Sequence, residues 1–147
     1  MKIVNGNRFL GAVLLSAVIA VQPAVLGAQK SSLTRAVERA QGAWLEHAVA
    51  ILVASSDTVR LHIPGVVPSA SLRPGQAARL LERYLKPAQE RTFVLRDVRT
   101  LAPDHAYAEV ERVYVVRGTT EEREETVFLG FRLVHGKWSL REVRVTP

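Results

Sequence analysis

Apolar side chains recur at helical spacing over residues 32–55. Leu33, Trp44 and Ile51 are among the positions that share one face, because residues three or four apart lie on the same side of a helix. Gly42 lies within this stretch, and glycine costs a helix about 1 kcal/mol relative to alanine. We therefore predict a longer helix and a short second one, with the division at Gly42.

A short strand and a third helix come next. Val59 and Leu61 lie on one face of an alternating run over residues 58–63, which is the pattern of a half-buried strand. Pro74 suits the first position of a helix, because the N–H that proline lacks would be unpaired there. An apolar stripe follows it, so we predict a helix over residues 74–85.

The second half of the chain alternates between apolar and polar residues, as strands do. The runs cover residues 92–101, 106–117, 125–134 and 137–145. Helices gathered at one end of a chain and antiparallel strands at the other indicate an α+β fold. We predict N-terminal helices packed on one face of a curved antiparallel sheet.

The last two strands form a hairpin whose register follows from the sequence. Residues 135–136 are an X-Gly dipeptide between two alternating runs, which is the strongest short-range hairpin signal. A turn there places Leu133 opposite Trp138 and Phe131 opposite Leu140. These four apolar side chains would then form one cross-strand cluster.

The N-terminal residues have a pattern of their own. Lys2 and Arg8 make a short basic start, and residues 9–21 form an apolar run without a charge. Small residues follow, among them Gly27 and Ala28. A basic start, an apolar run and small residues at a cleavage point together describe a secretory signal peptide.

We expect residues 1–28 to be a signal peptide, removed after residue 27 or 28, and residues 29–147 to form a single domain. The protein would then be exported to the periplasm or the extracellular space, with no membrane span left after cleavage. The competing interpretation is a retained membrane anchor. The uncharged stretch over residues 9–26 is 18 residues long, slightly less than the about 20 apolar residues that span a bilayer.

Composition excludes several classes of protein. The chain has no cysteine, which rules out a disulfide scaffold, a thiolate metal site and thiol catalysis. Removing Lys2 and Arg8 from its 20 lysines and arginines leaves 18, against 14 acids, a net charge of +4. The arginines are scattered rather than clustered with aromatic residues, so we expect no nucleic-acid partner.

These elements resemble the nuclear transport factor 2-like superfamily, whose cone-shaped, cystatin-like fold is shared with ketosteroid isomerase and scytalone dehydratase. The similarity covers residues 32–145 and is greatest to small exported bacterial members whose function is unknown. It rests on the helix pair, residues 59–65, the helix over 76–85 and the hairpin over 131–140. None of these segments is a catalytic signature, and one fold hosts many functions.

The resemblance implies a pocket between the concave side of the sheet and the helices. The enzymes of the superfamily place a carboxylate or histidine base there, beside tyrosine or acid hydrogen-bond donors. This chain has few acids suited to that role, and Asp97 and Glu142 are the mid-strand candidates. The glutamates within residues 121–125 form a charged run that we interpret as a solvated edge.

Five residues are candidates for lining this pocket: Arg112, Tyr114, Arg132, Glu142 and His47. Arg112 and Tyr114 share a strand face, Arg132 lies on the neighbouring strand, and His47 lies on a helix among apolar residues. With Glu142, the two arginines and the tyrosine would form a polar patch able to hold an anionic ligand. The alternative is a buried ion pair, of Arg112 or Arg132 with Glu142, that only stabilises the sheet.

We expect a binding or assembly module without catalytic activity, because acids that face inward are scarce. Its ligand would be a small anionic or apolar molecule. The alternative is a small isomerase, dehydratase or hydrolase that acts in the pocket. No pair of histidines has metal-ligand spacing, so we expect neither a metal nor another cofactor.

A homodimer through the sheet is the expected assembly. The strand around Val113 and Val115 has apolar side chains on both faces, although one face of an antiparallel sheet commonly meets solvent. Members of the superfamily often pair through the convex side of the sheet, so the resemblance implies the same surface. A two-fold dimer is the commonest outcome for such a patch.

Overall fold

The computed structural model describes residues 23–68 and 71–147. The basic start and apolar run of the expected signal peptide lie outside the described residues. The elements follow in the order α1 (Pro23–Leu45), α2 (Val49–Val53), β1 (Arg60–His62), α3 (Pro74–Leu85), β2 (Ala88–Ala102), β3 (His105–Val116), β4 (Glu122–Val134) and β5 (Lys137–Thr146). This order is the predicted one, and α1 begins before residue 32, where the prediction started.

The first helical stretch breaks after Leu45 and not at Gly42. His47 has a φ of 53°, in the left-handed region that few residues other than glycine adopt, and its N–H donates to the carbonyl of Trp44 over 2.9 Å. Through this turn, Trp44 near the end of α1 and Val49 at the start of α2 are both buried, at 0% and 7% exposure. Burial of both helices therefore decides where the helix breaks.

The third helix begins and ends where the sequence predicts. Pro74 is its first residue, and the Gln76 side chain accepts a hydrogen bond from the Arg73 N–H over 3.2 Å just before it. Leu81 and Leu85 are fully buried. The apolar stripe of α3 is thus the face that packs against the rest of the domain.

Among the described residues, the strands form one five-stranded sheet in the order β1-β5-β4-β3-β2. β2 to β5 are antiparallel neighbours as predicted, but β1 runs parallel to β5, which corrects the expectation of a wholly antiparallel sheet. A parallel pair needs a long crossover connection, and α3 with the three strands after it supplies one. β1 is shorter than the predicted run because Val59 pairs with Leu72 instead.

The β4–β5 hairpin has the predicted register. Leu133 pairs with Trp138 and Phe131 pairs with Leu140, and the last three of these side chains are buried. Both turn residues, 135 and 136, have positive φ, at 48° and 76°, as a two-residue hairpin turn requires. The predicted cross-strand cluster is therefore confirmed.

β2 is 15 residues long and forms one edge of the sheet. Its pairing with β3 shifts at three points, where one extra residue enters β2: Arg91, Arg96 and Leu101. Extra residues of this kind bend a strand and increase its twist. The three extra residues therefore bend and twist the sheet along β2.

The helices cover one face of the sheet, which we call the inner face; the opposite face is the outer face. Ala108 and Val110 on β3 and Val127 on β4 are inner residues with 0% exposure. Trp44 of α1 and Leu81 of α3 pack into the same core. Within residues 23–68 and 71–147, no helix is both long and apolar enough to cross a membrane.

Candidate functional site

Arg112 lies on the inner face of β3 with its side chain only 1% exposed. Its guanidinium donates two hydrogen bonds to Glu90 of β2, from Nε to Oε2 over 3.0 Å and from Nη2 to Oε1 over 2.6 Å. Nη1 donates to Glu125 of β4 and to the Tyr84 hydroxyl of α3, each over 2.7 Å. One arginine therefore connects three strands and a helix.

Three aromatic rings enclose the Arg112 guanidinium. Its Cζ lies 4.0 Å from the ring centroid of Tyr114, 5.1 Å from that of Tyr84 and 5.4 Å from that of Trp44. A cation over an aromatic face is attracted by the ring quadrupole, more strongly where water is excluded. Trp44 in turn stacks on Phe93, with the ring centroids 4.9 Å apart.

We call this group of side chains the Arg112 cluster, and it consists of Arg112, Glu90, Glu125, Tyr84, Tyr114 and His47. The hydroxyls of Tyr84 and Tyr114 both donate to the Glu125 carboxylate, and His47 Nε2 lies 3.1 Å from Glu90 Oε1. The two glutamate side chains are 4% and 11% exposed. Each buried carboxylate thus has several donors inside the cluster.

Burial and neighbouring charges shift pKa values in the cluster. Burial raises the pKa of Tyr84 well above its ordinary 10.0; the Arg112 charge opposes this rise and the hydrogen bond to Glu125 adds to it. Burial also raises the pKa of Tyr114, with the Glu125 charge adding to it. For Arg112 burial lowers the pKa, but the bond to Glu90 and the surrounding negative charges outweigh it and leave the pKa raised. At neutral pH both tyrosines are therefore neutral donors to Glu125, and Arg112 is charged.

The Arg112 cluster is a closed network rather than an open site. The two cavities described next contain none of its members in their linings. The carboxylates and hydroxyls that could serve as base and donor are bonded to one another, whereas a general base must reach a proton of the substrate. The cluster therefore links α3, the turn after α1 and three strands to one another.

A pocket of about 640 Å³ opens between α1 and the last part of β2; we call it the α1–β2 pocket. Its walls are mostly apolar and include Leu33 and Val37 of α1, Leu95 and Val98 of β2, and Trp138 of β5. Leu95 and Val98 are 37% and 38% exposed. Concave apolar linings of this size are typical of sites for small ligands.

A second cavity of about 980 Å³ is a groove on the outer face, which we call the sheet groove. Tyr107 and Phe128 contribute to its lining, with their rings edge to face and their centroids 6.2 Å apart. Its lining also contains the charged and titratable side chains Arg60, Arg132, Arg144, His105, Asp104 and Glu142. The groove is therefore both aromatic and strongly polar.

Solved structures of other proteins share this architecture at low sequence identity. A ketosteroid isomerase-like protein from Erwinia carotovora atroseptica has a TM-score of 0.64 and 15% identity, over 80% of this chain and 96% of that one. For a nuclear transport factor 2-like protein from Novosphingobium aromaticivorans, the values are 0.61 and 17%, over 83% of each chain. A DUF4783 family protein from Bacteroides uniformis has a TM-score of 0.58 and 17% identity, over 74% and 93%. The chain has the nuclear transport factor 2-like fold.

Solved structures with this fold are also described as cystatin-like. Their similarity to the chain confirms the α+β, cone-like fold that the resemblance implied. No protein-family model matches the sequence, and no curated protein matches it either. Identities of 15% and 17% to the solved structures establish the fold alone. A function has to be argued from the chemistry of the cavities and side chains.

Within this nuclear transport factor 2-like fold, three of the five predicted pocket residues come together: Arg112, Tyr114 and His47 all belong to the Arg112 cluster. Arg132 and Glu142 do not join them. Alternation along β4 places Arg132 on the outer face, and the extra residue Arg141 reverses the alternation of β5 after Leu140, so that Glu142 lies on the outer face too. The expected ion pair of an arginine with Glu142 on the inner face is therefore wrong. The buried ion pair exists, but other acids form it.

Glu90 and Glu125 are the acids that the sequence analysis missed. Glu90 precedes the predicted strand start at residue 92, and Glu125 belongs to the run that we interpreted as a solvated edge. Asp97, one of the two acids expected to face inward, instead lies on the outer face and accepts a hydrogen bond from Arg99 over 2.6 Å. The available signal was the alternation back from Val127 to Glu125, since both residues occupy the inner face of β4.

Proposed function

We propose that this protein is an exported module without catalytic activity that binds a small apolar ligand in the α1–β2 pocket. The distribution of polar groups is the observation that most supports this. The inward acids and tyrosines are bonded to one another in the Arg112 cluster, whereas the cavity beside α1 is open and apolar. An enzyme would need the reverse, with reactive groups exposed in the open cavity.

The exposed apolar side chains of β2 are the surface that a ligand would cover. Leu95, Val98 and Leu101 all line the α1–β2 pocket, and they are 37%, 38% and 69% exposed. Each 100 Å² of apolar surface removed from water contributes about 2.5 kcal/mol. Covering these side chains would therefore supply a driving force for binding.

A neutral fluorescent probe, N-phenyl-1-naphthylamine, tests binding in the α1–β2 pocket. We expect its fluorescence to rise when it is titrated with the protein. Val98→Glu should weaken the binding about tenfold or more, because it places a carboxylate in an apolar lining. Val94→Glu is the matched control, since Val94 lies on the same strand, faces outward and is 44% exposed. No binding to the parent protein, or an equal loss in both variants, would contradict the proposal.

The catalytic alternative rests on Glu125 and its two tyrosine donors. A carboxylate beside phenolic donors can support proton transfer and the stabilisation of a developing negative charge, but the cluster would have to open to a substrate. Turnover of a β,γ-unsaturated ketone should therefore be absent from the parent protein. Turnover that Glu125→Gln abolishes, with the fold and stability retained, would favour an isomerase instead.

Export is the second part of the proposal. It rests on the basic start, the apolar run over residues 9–21 and the small residues that follow. Mass spectrometry of protein recovered from the periplasm or the medium should show a chain that begins at Ala28 or Gln29. An intact Met1 in the membrane fraction would support the retained anchor.

A further inference from the structure

Gly130 of β4 lies on the outer face and lines the sheet groove. In the register of the sheet, Gly130 lies between Glu142 on β5 and Tyr107 on β3. Phe128 and Arg132 are its nearest neighbours on the same face of β4. A Cβ at position 130 would lie 3.1 Å from the Cβ of Glu142. The glycine therefore leaves a slot that any other residue would narrow.

One side of this slot is aromatic. The rings of Tyr107 and Phe128 meet edge to face at an angle of 65°, and both residues are only partly buried. An aromatic face that is open to solvent packs well against another ring. The slot over Gly130 is thus suited to a flat or ring-shaped group.

The opposite side of the slot is positively charged. Arg60 and Arg144 both contact the Glu142 carboxylate, at 3.4 and 2.9 Å, and their side chains are 58% and 55% exposed. His62 lies 3.8 Å from the same carboxylate. One carboxylate neutralises only one of the two guanidiniums, so a net positive charge and unused N–H donors remain beside the slot.

Basic side chains also outnumber carboxylates further along β4. Arg132 is 53% exposed and lies 3.6 Å from Asp104, which also bonds His105 over 2.8 Å. Among the described lining residues, Asp104 and Glu142 are the acids, and each is shared by two or more basic side chains. The lining of the groove therefore has more basic than acidic side chains, and guanidinium donors remain for an anion.

We propose that the sheet groove binds a small anion that carries a ring. The ring would lie over Gly130 against Tyr107, and its phosphate or carboxylate group would accept hydrogen bonds from Arg60 and Arg144. The volume of about 980 Å³ accommodates such a molecule. Leu101, at the edge of the sheet, lines both this groove and the α1–β2 pocket. The proposed contacts lie on the opposite side of the sheet from that pocket and do not depend on the function proposed for it.

Titration with phenyl phosphate, followed by the NMR shifts of the backbone amides, tests the proposal. Inorganic phosphate and benzyl alcohol represent the anion and the ring alone. We expect phenyl phosphate to bind about tenfold more tightly than either. The largest shifts should occur near residues 107, 130 and 142, and added salt should weaken the binding. Equal affinity for phenyl phosphate and inorganic phosphate would overturn the proposal.

Variants separate the contributions of charge and ring. Arg60→Gln combined with Arg144→Gln should weaken phenyl phosphate binding about tenfold or more. Tyr107→Ala should weaken the binding of phenyl phosphate but not that of inorganic phosphate. Arg83→Gln, an exposed arginine in the last turn of α3, is the control. An unchanged affinity in the double arginine variant would rule out this site.

A second titration identifies the kind of ring. Provided that phenyl phosphate binds more tightly than inorganic phosphate, a preference for phenyl phosphate over glucose 6-phosphate assigns the groove to an aromatic acid, and the reverse preference assigns it to an acidic sugar. Binding of neither compound would overturn the proposal. Val98→Glu should leave these affinities unchanged, so that a failure of the α1–β2 pocket is distinguishable from a failure of the sheet groove.

Discussion

Arg112 occupies an inner position of β3 where alternation would ordinarily place an apolar residue. Ala108 and Val110 precede it on the same face, and both are fully buried. The charge is tolerated there because two carboxylates and three rings surround it. A buried ion pair of this kind adds little stability compared with an apolar core, but removing one partner leaves uncompensated charge.

Replacing Arg112 should therefore destabilise the folded protein severely. Arg112→Ala should lower the free energy of unfolding by about 3–5 kcal/mol, because Glu90 and Glu125 would stay buried without their partner. Urea denaturation measures this loss. Arg83→Ala, on the exposed side of α3, should change stability by less than about 0.5 kcal/mol. A similar small effect for Arg112→Ala would mean that the cluster is hydrated.

The raised pKa values of the two tyrosines in the cluster predict a loss of stability at alkaline pH. In the unfolded chain Tyr84 ionises near its ordinary pKa of 10.0, whereas in the folded protein its pKa is raised. Between these two pKa values only the unfolded state releases the proton. The free energy of unfolding should therefore fall as the pH rises above about 10. Tyr84→Phe should make this fall shallower, as followed by urea denaturation across the alkaline range. Val127→Ala, destabilised elsewhere in the core, should retain the slope of the parent protein.

Arg112 and Tyr114 were predictable as a pair, because residues two apart in a strand share a face. Glu90 was not predictable as their partner, for a physical reason. The extra residue Arg91 reverses the alternation of β2. Phe93 pairs with Arg112 and Glu90 pairs with Tyr114, so both lie on the inner face. Alternation read backwards from Phe93 would place Glu90 on the outer face. Residues 89–92 are all polar, so no spacing of apolar residues reveals this bulge.

At the scale of elements, α3 and the terminal hairpin were predictable because local signals determine them. Pro74 starts the helix, and the turn at residues 135–136 sets the hairpin register. The break between α1 and α2 and the direction of β1 were not predictable in this way. Both depend on what packs against them: Trp44 must reach the core, and β1 pairs with a strand far along the chain.

The register of the β4–β5 hairpin predicts different effects on stability for substitutions of Trp138, in the core, and of His135, at the turn. Trp138→Ala should lower the free energy of unfolding by about 3–5 kcal/mol, because it removes a large core side chain. His135→Asn should be nearly neutral, since asparagine tolerates the positive φ of 48° at that turn. Chemical denaturation of both variants measures the difference. Equal losses would contradict the register.

At the scale of the whole molecule, the outer face has two distinct ends. Val113 is partly buried and Val115 is 7% exposed, so the apolar patch expected from the sequence is small, and Val94 at 44% exposure extends it. Tyr107 of the sheet groove and Val113 are six residues apart on β3, which corresponds to about 20 Å. A dimer formed at the valine end would therefore leave the groove open.

The homodimer remains a prediction. Light scattering at micromolar concentration should give the mass of a dimer for the parent protein and of a monomer for Val113→Glu combined with Val115→Glu. Val94→Glu is a second variant with the same expected effect, because its exposed side chain can be changed without disturbing the core. Arg132→Gln, at the groove end, should leave the dimer intact. A monomeric parent protein would exclude this assembly.

The three extra residues of β2 also affect how this protein behaves at high concentration. A long edge strand presents a row of free backbone N–H and C=O groups to which a strand of another chain can add, and such addition starts aggregation. In β2 the row is interrupted at Arg91, Arg96 and Leu101, and two of these residues bring positive charge to the edge. At the other edge, β1 is only three residues long. Neither edge therefore offers a long, regular template for aggregation, although the sheet is not closed into a barrel.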